Sequence, residues 1–260
     1  MFRSFKLSIG DAELSSLLDM DEHQPITRTI SDAEMLQSVE SNNANWILDN
    51  WFKEYKADVF LSHSSVDGDL ARKVAGLLSS LGLKVFIDSE LWGRVECLQR
   101  KIDDKYAVLR QTNGVVETYD YAKRNVTTGH THVLLTYALT RMINATECFI
   151  FLSTPRSVIS CSEATLETYS PWLFHELEVA NVIEQQKLTR RRLVVEGVAE
   201  DASVKAAQEN FSMKFCADVR RLREIGLKDL FSTRNFYRSV CTERGLPPQA
   251  FLDCLYAKFI

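Results

Sequence analysis

Ala57-Asp58-Val59-Phe60-Leu61-Ser62-His63, running on through Gly68 to Leu81 and then Gly82-Leu83-Lys84-Val85-Phe86-Ile87-Asp88, is the stretch that decides the fold. Asp58 to Ser62 is a short apolar run without polar alternation, the pattern of a strand buried on both faces. From Gly68 the apolar residues Leu70, Val74, Leu77, Leu78 and Leu81 recur at helical spacing, and Gly82 is placed to end that helix in a left-handed conformation. Lys84 to Asp88 repeats the first strand. A strand, a helix and a second strand of this kind form the unit from which parallel sheets are built.

The alternation continues downstream. A helix is predicted around Val95 to Tyr106, and His130 to Asn144 reads as another, with Val133, Leu134, Leu135, Leu139, Met142 and Ile143 as its apolar stripe. The residues between them, Ala107 to Gly129, show no clear period and read as an insertion. Glu147-Cys148-Phe149-Ile150-Phe151-Leu152-Ser153 is a third buried strand, Leu193-Val194-Val195 a fourth, and Met213 to Ala217 a weaker fifth. Two short helices separated near Gly245-Leu246-Pro247-Pro248 are expected from Lys228 to the end.

Upstream the character differs. The first 56 residues show no plausible buried strand; Ser31-Asp32-Ala33-Glu34 has the form of a capping box, and Trp46, Ile47, Leu48, Trp51, Phe52 and Tyr55 share a helical face. This predicts a helical extension over 1–56 and a main domain over 57–260 that carries the insertion around 106–144.

With 260 residues, 45% of them hydrophobic and 25% charged, the chain can bury a substantial core. A net charge of −4 argues against nucleic-acid binding as the main role, Arg190-Arg191-Arg192 notwithstanding. No apolar run reaches the roughly 18 residues of a membrane span, and Met1 to Phe5 lacks a secretory apolar core, so a cytoplasmic protein is expected. The six cysteines form neither a CxxC pair nor a finger spacing, which predicts neither zinc nor a disulfide framework.

Ser170-Pro171-Trp172-Leu173-Phe174-His175-Glu176-Leu177 reads as a helix start, with serine as N-cap and proline at the first helical position. Trp172 and Glu176, four apart, share a face near the positive end of the helix dipole. Taken with the strand running into Ser62-His63, the strand ending at Asp88, and Phe149 to Ser153, this helix resembles a TIR domain (Toll/interleukin-1 receptor type). It is similar in particular to bacterial TIR proteins of antiphage defence such as those of Thoeris systems. The resemblance covers roughly 57–198, with a longer stretch before the third strand and a longer loop over 154–169 than a minimal TIR domain has.

The resemblance implies a flavodoxin-like, three-layer α/β fold whose first and third strands are neighbours, with ligands beyond the strands' carboxyl ends. It also implies cleavage of the nicotinamide–ribose bond of NAD by the glutamate matching Glu176, giving ADP-ribose or a cyclic isomer that a downstream effector senses, and self-association through TIR surfaces. A carboxylate beside the ribose would stabilise the oxocarbenium character that develops there, and nicotinamide leaves neutral, so no second acid is required. Trp172 would stack on a base, while Ser62 and His63 would contact phosphate or ribose, His63 being equally readable as a structural residue. Phe60 reads as core within reach of the pocket, and Asp88 flanks the loop after the second strand. The chain has no GxGxxG turn or P-loop, so NAD is expected as a substrate and not as a cofactor. A non-enzymatic TIR scaffold and a hydrolase of another nucleotide are the alternatives.

Overall fold

The computed structural model describes residues 3–10, 43–51, 56–112, 115–162, 165–183 and 213–258, together with positions 13, 17, 34, 37 and 40. The chain divides into two compact units: Met1–Ile26, Lys56–Asp88 and Ile143–Ile260 form the first, and Thr27–Tyr55 with Ser89–Met142 the second. Ser31 of the capping box, Leu193-Val194-Val195 and Arg190-Arg191-Arg192 lie outside the described residues.

The first unit is built on a five-stranded parallel sheet. Its strands are β1 (Arg3–Ser8), β2 (Val59–Ser62), β3 (Val85–Ile87), β6 (Cys148–Ser153) and β10 (Arg223–Gly226), in the order β10-β1-β6-β2-β3. Every residue of β2, β3 and β6 is buried, as their unbroken apolar runs require. Side-chain alternation sorts these residues onto two faces. Val59, Leu61, Val85, Ile87, Cys148, Ile150 and Leu152 join one core with α2 (Gly68–Ser79), α6 (Leu227–Phe236) and α7 (Ala250–Ala257). Phe60, Phe86 and Phe149 point to the opposite face, where Phe60 meets Phe86 at 5.3 Å and Phe149 at 5.8 Å between ring centres.

Gly82 ends the α2 region at φ 83°, and a Cβ there would come within 2.7 Å of Pro248 Cγ, so glycine is required for both backbone and space.

Two expectations about this unit need correction. The segment 1–56 is not purely a helical extension: Arg3–Ser8 is an interior strand, pairing with β6 on one side and β10 on the other. Its sequence hides this, because Lys6 and Ser8 interrupt the apolar pattern and are accommodated by Glu224 of β10, Lys6 Nζ lying 3.2 Å from Glu224 Oε2 and the Ser8 hydroxyl bonding its other oxygen. The second correction concerns Met213 to Ala217. A strand does form there, β9 (Phe215–Asp218), but it runs antiparallel to β8 (Thr165–Thr168), which pairs in turn with β7 (Ile159–Ser162), in a separate three-stranded sheet. The long loop expected after β6 therefore contains a hairpin. Within the flavodoxin-like pattern, β3-β2-β6 follow the expected order, and the next place in the sheet belongs to β1, contributed from the chain's beginning.

The second unit contains α1 (Ala44–Trp51), α3 (Ser89–Tyr106), the hairpin β4 (Val108–Thr112) and β5 (Val115–Tyr119), and most of α4 (Tyr121–Ala145). Ile47 and Leu48 of α1 are buried, in keeping with the apolar face expected there. The α4 helix begins nine residues before His130, at Tyr121, where the carboxylate of Asp120 accepts from the Lys123 amide at 2.9 Å. Its polar first half is tied to buried Asp103 of α3, which receives the Thr127 hydroxyl and lies 3.3 Å from Arg124 Nε. Leu135, Leu139, Met142 and Ile143 are buried as predicted, whereas Val133 is 70% exposed and leaves the stripe. No helix among the described residues is long and apolar enough to cross a membrane.

Candidate active site

Glu176 is set in place by α5 (Pro171–Val182), whose start follows from local chemistry. Ser170 has extended backbone angles and its hydroxyl accepts from the Leu173 amide at 3.2 Å, with Pro171 at the first helical position. Phe174 stacks on Phe215 of β9 at 5.0 Å between centroids, fixing the helix from one side. From that anchored first turn, Glu176 turns onto the phenylalanine face of the sheet and is fully buried.

The alternation of β2 carries Ser62 to the same face as Phe60, at the carboxyl end of the strand. There the Ser62 hydroxyl donates to Glu176 Oε2 at 2.5 Å, a contact between residues 114 apart in sequence. The alternation of β3 likewise brings Asp88 onto the side of Phe86, where its charge acts on Glu176. His63, one residue past β2, places Nδ1 2.8 Å from Asp88 Oδ1. Ser62, His63, Asp88 and Glu176 are all at most 4% exposed.

This setting governs the charge of Glu176. Burial raises its carboxyl well above the ordinary carboxylate range, and the charge of Asp88 raises it further, while the hydroxyl of Ser62 pulls the other way. Burial therefore favours the neutral form of this carboxyl over the charged one. The β2 and β6 strands are neighbours whose chain connections leave in opposite directions, so their carboxyl ends flank a topological switch point of the kind where open α/β sheets bind ligands.

A second buried cluster lies at the same ends of the same two strands. The Thr154 hydroxyl, just past β6, donates to Asp67 Oδ2 at 2.7 Å, and Arg156 Nη2 lies 3.0 Å from Asp67 Oδ1. Ser157 closes the turn on the Thr154 amide at 3.1 Å. Asp67 thus ties the loop after β2 to the loop after β6. Sequence reasoning missed this cluster; the available signal was a run of short polar residues, Ser64-Ser65-Val66-Asp67 and Thr154-Pro155-Arg156-Ser157, directly after two buried strands.

Of the residues singled out from sequence, Ser62, His63, Asp88 and Glu176 are brought together. Phe60 lies two residues before Ser62 on β2, its ring packed against those of Phe86 and Phe149. Trp172, four residues before Glu176 on α5, is half-buried. The side chain of Trp92 lies outside the described residues.

These features define the class of protein as an α/β protein with a central parallel sheet and a buried Ser–Glu–Asp–His cluster at the sheet's carboxyl edge. Comparison of the chain with protein-family models, with curated proteins and with solved structures finds no match, so the geometry above carries the functional reading.

Proposed function

We propose that the protein is a TIR-type enzyme that cleaves the nicotinamide–ribose bond of NAD, releasing nicotinamide and ADP-ribose or a cyclic isomer, with Glu176 as the catalytic carboxylate, and that it serves bacterial antiphage defence. The observation that carries the reading is the 2.5 Å bond from Ser62 to Glu176 at the carboxyl end of β2 in the parallel sheet, where a dinucleotide site is expected for this topology. A carboxyl at that place, once ionised, faces the charge that develops on the ribose as nicotinamide departs. Trp172 offers a flat apolar surface on the same helix face, suited to a base.

Full burial of Glu176 means that the described conformation is a closed one, so turnover requires the site to open. Self-association is the step that opens it in this reading. The test is nicotinamide release from NAD by purified protein across a range of concentrations, with Glu176→Gln as control. Release by the wild type that disappears in the variant supports the reading, and equal release by both removes Glu176 from the chemistry.

The same burial favours a second reading, a non-enzymatic scaffold in which Glu176 only ties α5 to β2. In that case no nucleotide is consumed at any concentration, and the Glu176→Gln variant still assembles as the wild type does.

A further inference from the structure

The turn Tyr237–Cys241 that continues α6 and the helix α7 hold two thiols side by side: Cys241 Sγ and Cys254 Sγ are 3.9 Å apart, and the residues are 1% and 2% exposed. Both are held from the backbone. The Thr242 amide donates to the Tyr237 carbonyl at 3.1 Å, and Gly245, left-handed at φ 63°, ends the turn with the Leu246 amide on the Cys241 carbonyl at 3.0 Å. Pro247 and Pro248 then lead into α7, their carbonyls accepting from the Ala250 and Phe251 amides at 2.9 and 3.0 Å. The α7 segment is fixed in turn by Gln249 on Asp58 Oδ1 at 2.9 Å, by Tyr256 on Glu147 Oε1 at 3.0 Å, and by the stack of Tyr256 on Phe5 at 6.0 Å. Two sulfurs 13 residues apart in sequence thus meet through a connected set of hydrogen bonds. Cys97 and Cys216, by contrast, are exposed. A disulfide needs its sulfurs about 2 Å apart, and the gap left to close is of the size that χ1 rotation of a cysteine spans.

We propose that Cys241 and Cys254 are an oxidation-sensitive switch: a hydroperoxide joins them in a disulfide that staples α7 to the end of α6, and local opening of α7 gates the reaction. The switch does not depend on the chemistry at Glu176. Burial pushes the Cys254 thiol up to about 12, so in the closed fold it keeps its proton and is no nucleophile. When α7 opens, that proton passes to solvent and the thiolate attacks one peroxide oxygen. The O–O bond breaks, leaving a sulfenic acid on Cys254 and a hydroxide that takes up a proton to become water. Reclosure returns Cys254 to Cys241, whose sulfur displaces the sulfenic oxygen as a second water and forms the S–S bond. Two S–H bonds and one O–O bond are thereby exchanged for one S–S bond and two molecules of water. The ring so closed spans the turn over 245–248 and removes the open states of α7.

The test is treatment of the full chain with hydrogen peroxide, with and without urea below its unfolding transition, followed by alkylation and tryptic mass mapping. Cleavage after Arg238, Arg244 and Lys258 puts the two cysteines on separate peptides, 239–244 and 245–258. The expected product is one linked species of these peptides, lighter by two hydrogen atoms than their sum, released by dithiothreitol and formed faster in urea. The linked protein should melt about 5 °C or more above the reduced one, and Cys241→Ala should show no such rise with peroxide. Peptides that stay separately alkylated, or that carry sulfinic acid without linkage, would overturn the proposal, as would linkage at the same rate with and without urea. The mapping is read on the wild type, so it decides the matter even where Cys241→Ala does not fold.

Discussion

At Glu176 the requirements of folding and of chemistry oppose each other. A carboxyl whose folded-state proton affinity is raised stabilises the fold most below its ordinary titration range, and that contribution is lost as pH rises through the raised value, because the unfolded chain gives up its proton first. Glu176→Gln, a neutral replacement of the same shape whose amide can donate to Asp88, is therefore expected to be more stable than the wild type at pH 7, by about 1 kcal/mol or a few degrees in Tm. The advantage should shrink toward pH 4; thermal melts of both proteins at pH 4 and 7 check the sign, and a Gln variant less stable at pH 7 would contradict a raised proton affinity at Glu176. Asp67 makes the opposite case. Its carboxylate accepts from the buried Thr154 hydroxyl and pairs with Arg156, so Asp67→Ala removes both contacts and should cost about 2 kcal/mol, read as a lower denaturant midpoint.

The elements show what a sequence can and cannot carry. Gly82→Ala tests one local signal: at φ 83°, with Pro248 2.7 Å from the new Cβ, the variant should lose more than the ~1 kcal/mol that a left-handed alanine alone costs, measurable in chemical denaturation. Signals of this kind were legible, as were β2, β3 and β6, because a strand buried on both faces writes an unbroken apolar run. The start of α5 was legible through Ser170 and Pro171. By contrast β1 was not, since Lys6 and Ser8 are tolerated only through Glu224, a partner more than two hundred residues away. The first half of α4 was hidden for a similar reason: Arg124 and Thr127 spend their polarity on Asp103 of another helix and break the apolar period. The site was half legible. Helical spacing puts Trp172 and Glu176 on one face, but the meeting of Ser62, Asp88, His63 and Glu176 depends on the order of strands, which no local pattern encodes.

On the scale of the whole molecule, the interior of the sheet is completed by β1, Arg3–Ser8. Because β1 lies between β6 and β10 and buries Phe5 and Leu7, removing residues 1–9 should expose the edge of β6 and unfold the first unit, seen as loss of cooperative melting. An extension that merely docked would instead be dispensable. The sheet so completed holds the carboxyl ends of β2 and β6 together, and with them the cluster on which function is proposed to depend. The most direct measurement is nicotinamide release from NAD by the wild type and by Glu176→Gln, at matched concentrations up to those at which the protein self-associates. The account predicts release by the wild type and at least about a hundredfold less by the variant; equal rates in the two, or no release by the wild type in any assembled form, would contradict it.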